Sequence, residues 1–528
     1  MSIYLGFDSS TQSLTATIIE IDGARRSVVA TRTFQFDEAL PSYGTRYGVL
    51  SSQDGAVVHA PPLMWAEALE VMFDALTREH DIDWARLRAI SGSAQQHGSV
   101  YLNTLATDRL ARLDGTQVIA SQLGDVFSRA TSPIWMDSST TEDCRAIEAA
   151  VGGAAALATL TGSRAFERFT GPQIRKFARE DQASYQRTDR IHLVSSWMAS
   201  LLSGGNASID RGDGSGMNLM DLSSGQWSRA ALGATAPDLD SKLPPLVPSS
   251  AIAGTLSPFW TQRFNLPPAR IVAWSGDNLC SLVGTGLVQE GQIAISLGTS
   301  DTIFGVMSKP SVSDDGTGHV FASPTGEFMG MTVFKNGSLA RERIRNACGL
   351  DWNSFSDVLR RTTPGNGGAM MLPWFEPEIT PLVLTPGVRT TGLSEPAGPD
   401  HVRAVIEAQM MSMALHSRWM GVTPSEIRAT GGAATNREIM QVAADVFGAP
   451  VQRLQQSNSA ALGAAMRAWH ADTLADGSPM PWSEIAAGFI DTVAGSRIAP
   501  IRENLEVYRR ALQRFEDWES RVLSERYQ

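Results

Sequence analysis

Three cysteines in 528 residues, Cys144, Cys280 and Cys348, are too few and too far apart to make a disulfide framework. With no CxxC pair among them, they do not outline a zinc site either. No run of about 18 apolar residues occurs, so no segment can cross a bilayer as a helix. Strand-like residues begin at Ile3, which leaves no basic-then-apolar signal segment and points to the cytoplasm. Positive charge is short as well. Against 55 Asp+Glu there are 44 Lys+Arg, and the formal net charge of −11 argues against nucleic acid or an anionic membrane as partner. Also missing are a GxxxxGK(S/T) phosphate loop, a GxGxxG after a strand, HExxH and GxSxG. Any phosphate handled by this chain must be held by dispersed turns. The acidity itself does not forbid a nucleotide, because backbone N–H groups, helix N-termini and Mg²⁺ hold phosphate without a basic surface.

What is present reads as a folded chain: 43% hydrophobic and 19% charged residues, with length for about two to four domains. The densest stretch is Ile271 to Thr302. A short apolar run, Ile271–Trp274, stops at Ser275-Gly276-Asp277-Asn278 and leaves a carboxylate at a strand tip. A second apolar run, Ile293–Leu297, leads into Gly298-Thr299-Ser300, a turn whose N–H groups can cradle phosphate. A carboxylate beside such a cradle suits removal of a proton from a hydroxyl that attacks phosphorus. The competing reading is a surface Asp in a strand–helix turn followed by an ordinary hairpin.

Ile3–Phe7 and Leu14–Ile21 form an expected hairpin with Asp8-Ser9-Ser10-Thr11-Gln12-Ser13 at its tip. The plan returns at Ile293–Met307, which hints at two related halves. Pro61–Leu76 reads as a helix. The strand Leu87–Ile90 runs into Gln95-Gln96-His97, whose amides and imidazole suit a polyhydroxylated ligand. Arg168 can bind a sugar hydroxyl or pair with Glu167. Ile209–Met217 (IDRGDGSGM) is either a functional loop or a mobile one. A Pro- and Ser-rich run, Leu243–Gly254, places the expected domain boundary after residue 254. Later, Val402–Met420 reads as a helix, as does Arg437–Phe447, capped by Gly448 after the strand and turn Ile427–Asn436. A Gly431-Gly432 turn at a helix start lets a nucleoside lie against backbone. The tail, residues 495–528, is expected to form a packing helix. Lys335 stays open between holding a loop and approaching a nucleotide.

Asp8 with its hydroxyl-rich hairpin, Gly298-Thr299-Ser300 and Thr430-Gly431-Gly432-Ala433 follow the order found in the actin-like ATPases. Within that superfamily the chain resembles the FGGY carbohydrate kinases, in particular the animal-type branch acting on D-xylulose. The stretches carrying the resemblance are GFDSSTQS, SGSAQQHGS, SPIWMDSSTTEDCR, TGSRAFERFTG, DGSGMNL, SGDN, ISLGTSDT, FKNGSL and ATGGAATNREI. The resemblance implies an α/β fold of two ribonuclease-H-like domains, residues 1–254 on the sugar side and 255–494 on the nucleotide side, with a catalytic cleft between them. It implies Asp277 as general base on the sugar's 5-hydroxyl, and Gln96, His97, Arg168, Asp277 and Asn278 around a ketopentose. Asp8 falls at the Mg²⁺–phosphate site, with Thr11 and Gln12 nearby. Gly298, Thr299 and Ser300 face the phosphates from the other side, and Trp352, Gly431, Gly432, Ala433 and Asn436 meet ATP. The expected partners are D-xylulose and ATP, with the chain a monomer or homodimer. One departure stands out: many bacterial relatives carry Lys-x-x-Trp where this chain reads Phe169-Thr170-Gly171-Pro172-Gln173-Ile174-Arg175-Lys176. Ribulose or a pentitol is the alternative sugar. A nucleotide-gated binding protein without turnover is the alternative class, although it would have no use for a base at Asp277. A glycosidase would need two acids facing one bond, and phosphate-cradling turns stand in their place.

Overall fold

In the computed structural model the described residues are 1–79, 81–455, 458–490 and 492–526. They gather into two compact units, each discontinuous in sequence. The first is Met1–Val288 with Val320–Met329 and Gln456–Ile490; the second is Gln289–His319 with Gly330–Gln455 and Asp491–Gln528.

The first unit is built on a seven-stranded sheet. Ser2–Ser9 and Ser13–Asp22 are the β-branched, apolar arms of the expected hairpin, and Arg25–Gln35 extends it as a third antiparallel strand. On its other side Ser2–Ser9 runs parallel to Leu87–Ala94, which in turn lies parallel to Arg270–Val272 and to Ser275–Gly276. The register aligns Asp8, Ser93 and Ser275 in one row, at the carboxyl ends of three parallel strands. Ile252–Thr255 pairs antiparallel with Arg270–Val272. The boundary expected after residue 254 therefore falls inside a sheet. The Pro- and Ser-rich run itself holds the short strand Leu246–Val247 and most of Ile252–Thr255, and the first segment of this unit continues to Val288 instead.

Under this sheet the Pro62–Thr77 helix buries Met64, Trp65, Leu69, Met72, Phe73 and Leu76. Phe7, Phe73, Trp260 and Trp274 meet there, with Phe7 stacked on Trp274 at 5.8 Å and edge-on to Phe73 at 5.4 Å. The opposite face is covered by the Ala-rich helix Ser459–Ala475, drawn from far along the chain. It crosses the short helix Asp277–Gly284 with no side chain between them. A Cβ on Gly284 would meet the Ser459 carbonyl oxygen at 1.9 Å, and one on Gly463 would meet that of Cys280 at 1.9 Å. The helix that begins with Asp277 is thus fixed by backbone contact to the helix that lies on the Asp8 strand.

The second unit repeats the plan. Gln292–Leu297 is antiparallel to Asp301–Met307 and parallel to Glu426–Thr430, within a six-stranded sheet. Pro399–His416 is its long buried helix, and Arg502–Arg526 is the expected tail helix. The three cysteines are free, Cys144 and Cys280 being buried.

Candidate active site

In the first unit the parallel strands end in small and polar residues, so the polypeptide turns sharply and leaves carboxylates and amides at the edge. Asp277 opens its helix directly after Ser275–Gly276. Its Oδ1 accepts from the Asn278 backbone N–H at 2.8 Å and from Asn278 Nδ2 at 3.2 Å, while the same Nδ2 donates to Gln96 Oε1 at 2.7 Å. Burial, together with the charge of Asp8, pushes the Asp277 carboxyl up to about 7. Asp8 accepts from Ser93 Oγ at 2.7 Å and is itself raised to about 6 by burial.

His97 sits one residue beyond Gln96 with φ +71°, an uncommon conformation for a residue bearing a Cβ. Its Nδ1 lies 2.8 Å from the Gly216 carbonyl oxygen, so Nδ1 carries the proton and donates. Burial and the nearby Arg168 lower its pKa to about 3, which keeps the ring neutral and Nε2 free to accept. The ring packs on Phe169 at 4.4 Å, and the Arg168 guanidinium lies over Phe166 and Phe169. Burial lowers Arg168 to about 10, opposed by Glu167.

Ile209–Met217 is not a mobile loop. Asp210, 0% exposed, caps the short helix Arg211–Ser215, and Asp213, 1% exposed, lies within it. Asp210 accepts from Ser249 Oγ at 2.6 Å and from Ser275 Oγ, tying this segment to the strand before Asp277. Asp213 accepts from Ser195 Oγ, and burial beside Asp210 and Asp277 raises it to about 8. The Gln96 amide faces the Asp213 carboxyl and favours its charged form, although Asp213 Oδ1 and Gln96 Nε2, both buried, do not close to a full hydrogen bond. An acceptor and a donor left open side by side are what a ligand hydroxyl can bridge.

In the second unit, Gly298–Ser300 joins the two antiparallel strands, and Gly431 follows Glu426–Thr430, the strand parallel to the first of them. Arg341 braces the turn from behind. It holds Asp301 through both nitrogens at 2.7 and 3.0 Å, donates to the Gly298 carbonyl at 3.2 Å, and is 1% exposed. Gly431 has φ +86°, and a Cβ there would strike the Leu297 carbonyl oxygen at 2.4 Å, so it is glycine for backbone packing. Gly432 faces open space. A short 3₁₀ turn, Gly432–Thr435, separates this pair from the helix Arg437–Phe447, whose N-cap is Asn436 rather than the glycines. Asn436 Nδ2 also donates to Ser356 Oγ at 2.7 Å, which brings the Trp352–Arg361 helix beside the glycine turn. Trp352 is 40% exposed, with Arg345 over its ring at 4.6 Å.

The same sequence matches the FGGY family of carbohydrate kinases, N-terminal domain over residues 129–284 and C-terminal domain over 293–471. The chain is an FGGY carbohydrate kinase. Mouse xylulose kinase is 42% identical over 530 residues, covering 98% of this chain and 94% of the mouse protein. Xylulose kinase 2 of Arabidopsis thaliana is 42% identical over 93% of this chain and 91% of its own length. The crystal structure of xylulose kinase from Rhodospirillum rubrum superposes with a TM-score of 0.82 at 19% identity over all of both chains, and that likeness carries the two-domain actin-like fold. As a member of this family the protein is an ATP-dependent sugar kinase, with a sugar and ATP as substrates.

For an FGGY kinase, the sequence-read residues divide between the two units. Asp8, Gln96, His97, Arg168, Asp277 and Asn278 come together in the first; Gly298, Thr299, Ser300, Trp352, Gly431, Gly432, Ala433 and Asn436 lie in the second. Thr11 accepts from Trp135 Nε1 at 2.8 Å, and Gln12 is exposed, its carbonyl accepting from Phe36 N–H. Asp213, Asp210 and their serine partners were not singled out from the sequence, since nothing in an Asp/Gly-rich run distinguishes a buried segment from a loop. Among the described residues no helix is long and apolar enough to cross a membrane.

Proposed function

We propose that this kinase transfers the γ-phosphoryl group of ATP to the 5-hydroxyl of D-xylulose, with Asp277 as general base. The observation that carries the reading is Asp277 itself, a carboxylate at the end of a parallel strand with its pKa raised to about 7. A base poised near the working pH serves proton transfer best. Asp277 takes the hydroxyl proton as the oxygen bonds to phosphorus, and the bridging P–O bond breaks to release ADP. Neutral His97 accepts from a sugar hydroxyl through Nε2, Arg168 donates to another, and Asn278, whose Nδ2 is taken by Gln96 and Asp277, accepts through Oδ1. Gln96 Nε2 and Asp213 Oδ1, buried and facing each other, take one hydroxyl between them.

Asp8 fits a Mg²⁺ role. Ser93 engages one carboxylate oxygen, and the other has no hydrogen bond among the described residues. Mg²⁺ commonly takes one or two carboxylates and completes its shell with water and substrate phosphates. Bound with ATP, it would neutralise charge on the phosphate oxygens. Thr299 and Ser300 offer N–H groups to those phosphates from the turn that Gly298 opens, and Trp352 with Gly432, Ala433 and Asn436 offers a face to the adenine. The relatives named xylulose kinase support D-xylulose as the sugar.

The test is coupled ADP release with Mg-ATP and D-xylulose against D-ribulose, L-xylulose, xylitol and no sugar. Selective release with D-xylulose is the expected result. Equal or greater release with another sugar would overturn the substrate, and none with any pentulose would overturn the pentulose class.

A further inference from the structure

A cavity of about 370 Å³ opens on the first unit, and none of Asp8, Gln96, His97, Asp213 or Asp277 lines it. Its walls include Arg211, Ser250, Thr325, Glu327, His470 and Trp482, all of the first unit. Arg211 is the informative member. Among the described residues it has no hydrogen bond or ion pair, and its Nε is cut off from solvent without a partner. The side chain rests along Gly225, where a Cβ would come within 3.1 Å of Nε. Nε therefore loses hydration with nothing returned, while the two Nη groups, not cut off from solvent, stay open to an oxyanion in the pocket. His470 adds no second charge. It stacks on Trp482 at 4.5 Å, and burial with Arg467 nearby lowers its pKa to about 4. Trp482 is fixed in turn by donating Nε1 to the Pro324 carbonyl at 3.0 Å. The hydroxyls of Ser250 and Thr325 and the Glu327 carboxylate add the donors and acceptors that suit a hydroxylated molecule.

The cavity is wired to the strand that ends at Asp277. Ser249, in its wall, donates to Asp210 at 2.6 Å, and the other Asp210 oxygen accepts from Ser275 Oγ, two residues before Asp277. Arg211 is the residue after Asp210.

We propose that this cavity is an effector site for a small hydroxylated oxyanion, seated on Arg211, whose binding alters kinase turnover through Asp210 and Ser275. A sugar phosphate and a sugar acid share that chemistry.

The test uses the full-length protein and three probes: inorganic phosphate, D-glucose 6-phosphate and D-gluconate. Calorimetry without nucleotide or pentulose measures binding, and ADP release at fixed Mg-ATP and D-xylulose measures the effect. The expected result is saturable binding of one or both hydroxylated probes, weakened tenfold or more in Arg211→Gln, together with a change in turnover that the variant lacks. Binding of only one names its source; equal binding of inorganic phosphate removes the need for hydroxyls and overturns that part. A Thr325→Ala variant, which keeps the guanidinium, is expected to retain weaker binding and guards against a misfolded Arg211 variant. No binding of any probe, or binding indifferent to Arg211, overturns the site. Arg211-dependent binding with unchanged turnover overturns the regulatory role. The calorimetric arm does not depend on the sugar proposed above, and the probe-free ADP control reports separately on that reading.

Discussion

At Asp277 the environment does two things at once: burial and Asp8 hold the proton, while Asn278 keeps Oδ1 in place. With this group as the base, Asp277→Asn is expected to lower kcat by ~10²–10⁴-fold while leaving nucleotide binding intact. In the parent enzyme kcat/KM is expected to rise with pH through about 7, as the carboxylate forms, and the variant's residual rate should lack that limb. A pH profile that is flat from 5.5 to 8.5 would remove Asp277 as the base. Asp213 makes a separate point about stability. Its folded pKa, about 8, is raised above the unfolded value, so the folded state binds the extra proton. That contribution is fully present below about pH 4 and is lost as pH rises through 8. Asp213→Asn, which cannot ionise, is therefore expected to gain Tm relative to the parent between pH 5 and pH 8.5. A constant difference across that range would show that Asp213 is not perturbed.

Among elements, the crossing of Asp277–Gly284 with Ser459–Ala475 is the most constrained. Gly463→Val drives a side chain into the Cys280 carbonyl and is expected to cost about 1–3 kcal/mol or more. Gly233→Ala, in a helix with open space around it, should instead stabilise by about 0.5–1 kcal/mol. Chemical denaturation of both variants checks the pair, and equal effects would contradict the packing. The same crossing explains what sequence reading could and could not reach. Local signals carried well: alternation and β-branching located the two polar-tipped hairpins, and Gly448 stopped the helix Arg437–Phe447 where the αL cap lies. The position of Asp277, Asn278 and His97 just beyond strand ends was legible because polar turn residues follow apolar runs there, while the roles given to them stay proposals. The division into units was not, because a strand at Ile252–Thr255 with only partial burial reads like linker next to prolines. Nor was the Asp210–Ser275 and Asp213–Ser195 network, which depends on pairings across 65 and 18 residues that no local pattern encodes.

At the scale of the whole molecule, the proposed site gives each substrate its own set of elements. Hydrogen exchange is expected to show D-xylulose protecting Gln95–His97 and Ser275–Asn278, with Mg-ATP protecting Gly298–Ser300, Gly431–Asn436 and the tip at Ser9–Gln12. Protection of Gly431–Asn436 by sugar alone would contradict that division. The Ser459–Ala475 helix also sets an order of events during synthesis. The strand it covers is made first and the helix near the end. At about 5–20 residues per second the ribosome needs roughly 10–30 s to travel from Val288 to that helix. Over that interval one face of the first sheet, with Tyr4, Ile19, Ala89 and Val272, has no native cover. A nascent chain in this state is a natural client for a chaperone, and a fragment ending at Val288 would keep that face bare for good.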